Sequence, residues 1–413
     1  MKADLVIIGA GPAGLAAAFS AAQNGVKKIL IVERDKQAGG ILNQCIHSGF
    51  GLSYFKQELT GPEFALRLCQ RVEDEKNIGF MFDAMALSVS PNRVTALSAQ
   101  KGLVNIETKA VILAMGCRER TRPAIAVPGT RPSGVMTAGL AQRYINIEGK
   151  MIGKRAVILG SGDIGMIMAR RLTLEGAKVL ACLEIMPYSS GLARNIAQCL
   201  DDFGIPLLLS HTVTGIHGRE RLSGVTVSKV DAKLRPIKGT EFRYDCDTLL
   251  LSVGLIPENE LSAAAGVMLD PVTKGPVVFD NNETNIPGIF ACGNVLQVHD
   301  LVDYAAEEGE RAGKSAAEFI YKRTQNILPE IKIAAGENVG YAAPQKLRTG
   351  DGEADICFRV KQPVKKGETV ITSGGKEIRR IKRAYMSPGE MERFKLQKSL
   401  ISEDVTISVE VSE

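Results

Sequence analysis

None of the eight cysteines (Cys45, Cys69, Cys117, Cys182, Cys199, Cys246, Cys292, Cys357) stands in a C-x-x-C or C-x-x-x-x-C pair. That spacing argues against a zinc site, an iron–sulfur cluster and a local redox disulfide. No metal is expected, and the thiols read mainly as small buried hydrophobes in a reducing compartment. No apolar run is long enough to span a bilayer. Apolar residues 5–8 end at a glycine, as a strand does and a signal peptide does not, so a cytoplasmic protein is expected. Charge of one sign is scarce too: a net +5 over 413 residues gives no reason to expect a nucleic-acid partner. The 45% hydrophobic and 23% charged content is that of an ordinary globular protein, and the length calls for two or three domains.

Glycine, at 42 residues, is abundant, and it is concentrated where it has work to do. The run Val6-Ile7-Ile8-Gly9-Ala10-Gly11-Pro12-Ala13-Gly14 recurs as Val157-Ile158-Leu159-Gly160-Ser161-Gly162-Asp163-Ile164-Gly165, and each is followed nineteen residues later by a glutamate, Glu33 or Glu184. In such a unit an apolar strand leads through a glycine turn into a helix whose free N–H groups and partial positive charge face a pyrophosphate. A second strand (28–32 or 178–183) ends in the carboxylate that accepts from ribose hydroxyls. A single copy can arise from close packing alone; two full copies at equal spacing imply two dinucleotides.

The spacing predicts a helix over 62–76 and an irregular β segment ending in the apolar run 110–115 closed by Gly116. The Pro- and Gly-punctuated crossing 122–134 reads as a connection between domains. A second unit ends in another apolar run closed by Gly254, and after it come 284–295 and a helix near Asp300 with small residues Ala305, Gly309, Ala312, Gly313 and Ala316 on its faces. Beyond about residue 327, short alternating runs (355–360, 368–372, 378–385, 405–411) read as strands of a small β domain. The expected fold class is therefore α/β: two Rossmann-like dinucleotide-binding domains, the second inserted in the first, plus a small C-terminal, mainly β domain. The expected divisions are 1–121 with 248–326, then 122–247, then 327–413.

Together these pieces resemble the two-dinucleotide-binding-domain flavoproteins, the pyridine nucleotide-disulfide oxidoreductase superfamily. The resemblance covers residues 1 to about 325 and implies FAD in the first unit and NAD(H) in the inserted one. It implies a cofactor-binding set of Gly9, Gly11, Pro12, Ala13, Gly14, Glu33, Arg34, Gly39, Gly40, Ala114, Gly116, Gly160, Gly162, Asp163, Ile164, Gly165, Glu184, Gly254, Gly293 and Asn294. The segments 116–120, 129–132, 162–170 and 299–304 are similar to one branch, which holds subunits of opine oxidase and hydrogen cyanide synthase and the oxidoreductase companions of glycerol 3-phosphate dehydrogenases. That branch implies an oligomer with a redox partner subunit, either a substrate-oxidising flavoprotein dehydrogenase or a small cysteine-rich protein.

Two features depart from the superfamily. Asn294 replaces an aspartate, which keeps a hydrogen bond to a ribityl hydroxyl but removes a charge. The dithiol of disulfide reductases falls on Leu42 and His47, so the thiol relay is absent. Cys45 and His47 are the catalytic candidates, Cys45 as a sulfenate and His47 as a proton donor or acceptor. The alternative is that Cys45 packs and His47 bonds to backbone. Three functions remain open: an FAD-dependent NADH:acceptor oxidoreductase, an NADH peroxidase or oxidase using Cys45, and a non-catalytic electron-transfer or docking subunit. Glu307 and Glu308 are expected to face solvent. Lys382, Arg383 and the turn Ser387-Pro388-Gly389-Glu390 are expected to dock a partner.

Overall fold

The structure is a computed structural model that describes residues 1–322 and 329–411, with no side-chain description at Lys322. The boundary expected at 326–327 and the last two residues of the expected β domain lie outside the described residues. The chain forms two compact units, Met1–Cys117 with Pro257–Glu413, and Arg118–Ile256.

In the first unit a parallel sheet runs in the order Ile289–Ala291, Ala110–Leu113, Leu5–Ile8, Ile29–Val32, Ile78–Met81. Leu5–Ile8, Ile29–Val32 and Ala110–Leu113 are buried at every position, which is why these runs read as continuously apolar rather than alternating. Helix Pro12–Gln23 packs on Val302–Lys322 so closely that a Cβ at Gly309 or Gly313 would overlap the Ala13 or Ala17 carbonyl; this is the purpose of the small residues seen in the sequence. Helix Gly61–Glu73 starts at a capping box in which the Thr60 N–H donates to Glu63 at 2.8 Å and the Glu63 N–H returns to Thr60 Oγ1 at 3.4 Å.

The second unit repeats the design, with a parallel sheet ordered Val135–Thr137, Thr248–Leu251, Arg155–Leu159, Lys178–Glu184, Leu207–Leu209. Residues 248–251 were expected in the first domain. Their parallel pairing between 135–137 and 155–159 places them in the second unit, so the return crossing falls at Ile256–Pro257 rather than at 247–248.

The C-terminal strands form a five-stranded sheet (Lys346–Arg348, Glu330–Ala335, Val405–Val411, Val364–Ser373, Lys376–Met386) and a three-stranded one (Val339–Ala343, Glu353–Val360, Glu392–Gln397). Their inward residues, among them Ile333, Phe358, Ile371, Leu396 and Ile407, share one core. This β region is compact with the first nucleotide unit. Ion pairs join it there: Arg311 to Asp355 at 2.9 Å, Arg359 to Asp300 at 3.1 Å, Arg393 to Glu307 at 2.9 Å and Lys398 to Asp280 at 2.5 Å.

The turn expected to dock a partner is tied to the protein's own residues while Pro388, Gly389 and Glu390 stay partly exposed. Ser387 is buried, the Pro388 carbonyl accepts from Arg359, and the Met391 N–H donates to Asp300. Arg383 is paired with Glu392 at 2.7 Å, while Lys382 stays exposed.

Candidate functional site: two glycine turns and a buried histidine pair

Both turns are built from the same backbone bonds. The Gly9 N–H donates to the Val32 carbonyl at 2.9 Å and the Gly160 N–H to Leu183 at 2.7 Å; the Ala114 N–H donates to Ile8 at 2.9 Å and the Ser252 N–H to Leu159 at 2.7 Å. Gly9 (φ +106°) and Gly160 (φ +98°) take the left-handed conformation that the turn demands. A Cβ at Gly14 would overlap the Gly9 carbonyl oxygen, whereas one at Gly11 would meet nothing within 4 Å. Space is thus left over the turn in the first unit while the helix is held tight beneath it.

The two carboxylates also match. Glu33 accepts the Ala10 N–H at 2.6 Å and the Asp35 N–H at 2.8 Å; Glu184 accepts the Ser161 N–H at 3.0 Å and the Met186 N–H at 3.0 Å. Each glutamate is buried and ties its strand end to its own glycine turn. Glu184 carries two further donors, Ser161 Oγ at 2.5 Å and Ser190 Oγ at 3.1 Å. Neither helix has a side-chain cap at its N-cap glycine, Gly11 or Gly162, which suits an anion at the helix start, although in the second unit the Gly165 N–H is already taken by Ser252 Oγ at 3.1 Å.

Most of the first-unit residues expected at a cofactor converge. The Gly39 N–H donates to Ala10 at 2.8 Å, a Cβ at Gly40 would lie 3.0 Å from Gly11 Cα, and one at Gly293 would lie 2.7 Å from Ala13 Cβ. Pro12 takes the first helical position. Arg34 turns aside to Glu258, with bonds of 2.9 and 3.2 Å.

In the second unit Asp163 accepts from the Leu192 N–H at 2.9 Å and Asn195 at 2.6 Å, Ile164 packs on the core, and Gly254 (φ +101°) is open to its surroundings, as Gly116 (φ +73°) is in the first. Ser252 was not anticipated. It stands where Ala114 stands in the first copy, two residues before the open glycine, and that repeated offset is the sequence signal that could have found it.

Asn294 Oδ1 accepts the His299 N–H at 3.0 Å, and its Nδ2 is 3.6 Å from Cys117 Sγ. Cys45 is buried against the start of helix Gly61–Glu73, where its carbonyl accepts the Gly61 N–H at 2.9 Å. Burial pushes its thiol up to about 12. His47 rests on Phe50, ring centroids 4.9 Å apart, with Nδ1 3.2 Å from the Ser48 carbonyl.

Glu308 corrects an expectation: it is buried, not solvent-facing. Its Oε2 accepts the Gly293 N–H at 2.6 Å and lies 3.1 Å from His299 Nε2. A lone helical Glu-Glu pair could not reveal this, because the partner N–H belongs to a turn fifteen residues earlier in the chain. Glu307 pairs with Arg393.

The pyridine nucleotide-disulphide oxidoreductase family matches residues 3–309, and the chain belongs to it. It is an FAD- and NAD(P)-dependent oxidoreductase. It is 26% identical over 340 residues to an opine oxidase subunit of Agrobacterium tumefaciens (strain Ach5), covering 76% of this chain and 64% of that one. It is 29% identical over 342 residues to the glutamate synthase [NADPH] small chain of Escherichia coli (strain K12), covering 75% and 66%. The fold is that of T. acidophilum thioredoxin reductase, at a TM-score of 0.63 and 23% identity over 77% of this chain and 98% of that one. The chain thus spans just under two thirds of the length of the two named relatives. Among the described residues no helix is long and apolar enough to cross a membrane, and no cluster of His, Cys, Asp or Glu is arranged to hold a metal ion.

Proposed function

We propose that this protein is an NADH:acceptor oxidoreductase in which FAD lies on the turn of Gly9, Gly11 and Gly14, NAD(H) on that of Gly160, Gly162 and Gly165, and electrons pass to or from a partner protein or small acceptor. The carrying observation is the matched carboxylate and glycine geometry of the two turns, one for each dinucleotide. When bound, the flavin supplies the hydride chemistry; the protein's own part is to position the nucleotides and hold back water.

The absence of cysteine at Leu42 and His47 and the high pKa of the Cys45 thiol favour this reading over a thiol-based one, since the thiolate is the reactive form. One relative is a glutamate synthase small chain and another an opine oxidase subunit, which supports a partner. A partner would be recovered by co-purification from the native host followed by mass spectrometry.

A buried Glu184 would face a 2′-phosphate, so NADH is the proposed donor although one relative's name carries NADPH. Like charges about 4 Å apart cost roughly 1 kcal/mol in water-like surroundings and about 4 at an effective dielectric near 20, which is a preference of about five- to a thousandfold. The ratio of kcat/KM for NADH and NADPH measures it. A ratio near one, or no change on Glu184→Ser, removes Glu184 as the selector.

A further inference from the structure

The glutamates at the two glycine turns are placed alike but supplied differently. Among the described residues Glu33 accepts two backbone N–H groups, those of Ala10 and Asp35, and no hydroxyl. Glu184 accepts the matching pair from Ser161 and Met186 and then two hydroxyls on Oε2, Ser161 Oγ at 2.5 Å and Ser190 Oγ at 3.1 Å. A carboxylate offers about four acceptor positions. Those of Glu184 are filled from within the chain, whereas Glu33 keeps room for further donors.

The second hydroxyl comes from a segment laid over the turn. The Ser190 N–H donates to Ser161 Oγ at 3.0 Å, and Ser189 Oγ lies 3.2 Å from the same atom. The Leu192 N–H and Asn195 Nδ2 donate to Asp163 Oδ1 at 2.9 and 2.6 Å, which ties the segment to the helix start. A Cβ at Gly191 would lie 2.8 Å from the Ser161 carbonyl oxygen and 2.8 Å from Asp163 Oδ1, so the segment rests on the turn itself. Glu184 and Ser161 are buried beneath it. Ser190 is exposed, and rotation of its side chain takes the hydroxyl to water with the backbone in place.

We propose that Ser190 is a placeholder for the nucleotide: its hydroxyl occupies the acceptor position on Glu184 that an adenosine ribose hydroxyl takes, and NAD(H) binds by displacing it. This rests on the reading that Glu184 meets that ribose. A buried carboxylate short of donors is unfavourable, and a nucleotide that leaves after each turnover would leave Glu184 in that state every time. Ser190 supplies the donor in the interval. Glu33 has no such placeholder among the described residues, as suits a cofactor that stays bound. Because binding exchanges one hydrogen bond for another instead of adding one, NAD(H) is held less tightly and released more readily.

The test titrates full-length, FAD-loaded protein by calorimetry with two probes. One is ADP-ribose, which carries the adenosine ribose and the pyrophosphate but cannot transfer hydride; the other is its 2′,3′-dideoxyadenosine counterpart, which lacks both adenosine hydroxyls. Ser190→Ala is expected to bind ADP-ribose about fivefold more tightly than wild type, the size of one net hydrogen bond, and the dideoxy probe less than about twofold more tightly. Ser190→Thr keeps the hydroxyl and is expected to stay at the wild-type affinity. Unchanged or weakened ADP-ribose binding in Ser190→Ala, or an equal gain for both probes, would overturn the inference, because Ser190 would then act through the shape of the segment. Glu184→Gln separates this from failure of the underlying reading. If it binds ADP-ribose as wild type does, Glu184 does not meet the ribose and the inference falls with that reading; if it binds more weakly while Ser190→Ala shows no gain, the inference alone falls.

Discussion

At the scale of single residues, burial decides between competing chemistries. Cys45 is 8% exposed and its thiol is raised to about 12, which leaves only about one part in 10⁵ as thiolate at neutral pH. Cys45→Ser is therefore expected to leave flavin reduction by NADH within about threefold and to leave a low peroxide turnover low; stopped-flow absorbance and a peroxide-consumption assay read the two. Fast peroxide turnover that vanishes in the variant would restore the sulfenate role. The same raised pKa has a stability consequence. A thiol whose folded pKa exceeds its ordinary value of 9.0 contributes stability that is fully present below that value and is lost as pH rises towards 12. Wild type should lose its stability relative to Cys45→Ala across that window in denaturant titrations. Glu308 carries the opposite sign. Its folded pKa lies below the ordinary 4.5, so its contribution is present above that value and is lost as pH falls through the folded one. Glu308→Ala breaks a buried pair and is expected to cost about 3 kcal/mol at neutral pH, a difference that should shrink when unfolding is measured under acid conditions.

At the scale of elements, the two strand–turn–helix units are alike in design but not in tolerance. A Cβ at Gly14 collides with backbone, the Gly9 carbonyl. One at Gly165 meets mainly the Ser252 side chain, at 2.7 Å from its Cβ, with the Gly160 carbonyl at 3.0 Å. Overpacking of this kind costs about 1–3 kcal/mol. Gly14→Ala should therefore lower FAD content while leaving NADH binding intact, and Gly165→Ala should weaken NADH with FAD retained and by a smaller factor. Flavin released on denaturation and an NADH fluorescence titration separate the two; loss of both ligands in either variant would mean that the units do not act as independent nucleotide sites. These turns were legible in the sequence because every constraint in them is local or repeats at a fixed offset: glycine, strand and carboxylate fall within about 25 residues. The His299–Glu308 pair was not legible, because its meaning depends on a fold-level contact between helix Val302–Lys322 and the Gly293 turn. The strands Glu330–Ala335, Val339–Ala343 and Glu392–Gln397 were passed over for a related reason. Their charged or small residues gain a sheet partner only from segments distant in the chain, and periodicity does not report that.

At the scale of the whole molecule, the C-terminal β region is joined to the first nucleotide unit by ion pairs largely shielded from water. Asp300 and Arg359 are 8% and 15% exposed, and Asp280 and Lys398 are 11% and 14% exposed. Arg359 also donates to the carbonyls of Val298 and Pro388, so one guanidinium joins the segment after Asn294 to the β region. A chain ending at Tyr321 would strip Asp280 and Asp300 of those partners and also uncover Phe279, over whose ring Arg348 and Lys346 now lie. Truncation is therefore expected to yield insoluble or FAD-free protein rather than a working core. Arg359→Met is the finer test, because it keeps the chain whole: a loss of about 3 kcal/mol in denaturant stability, with weakened FAD retention, marks the region as a structural brace for the turn at Asn294. A truncated chain that stays soluble and yellow, reduces dyes with NADH, and loses only the capture of a partner would show instead that this region's main task is docking.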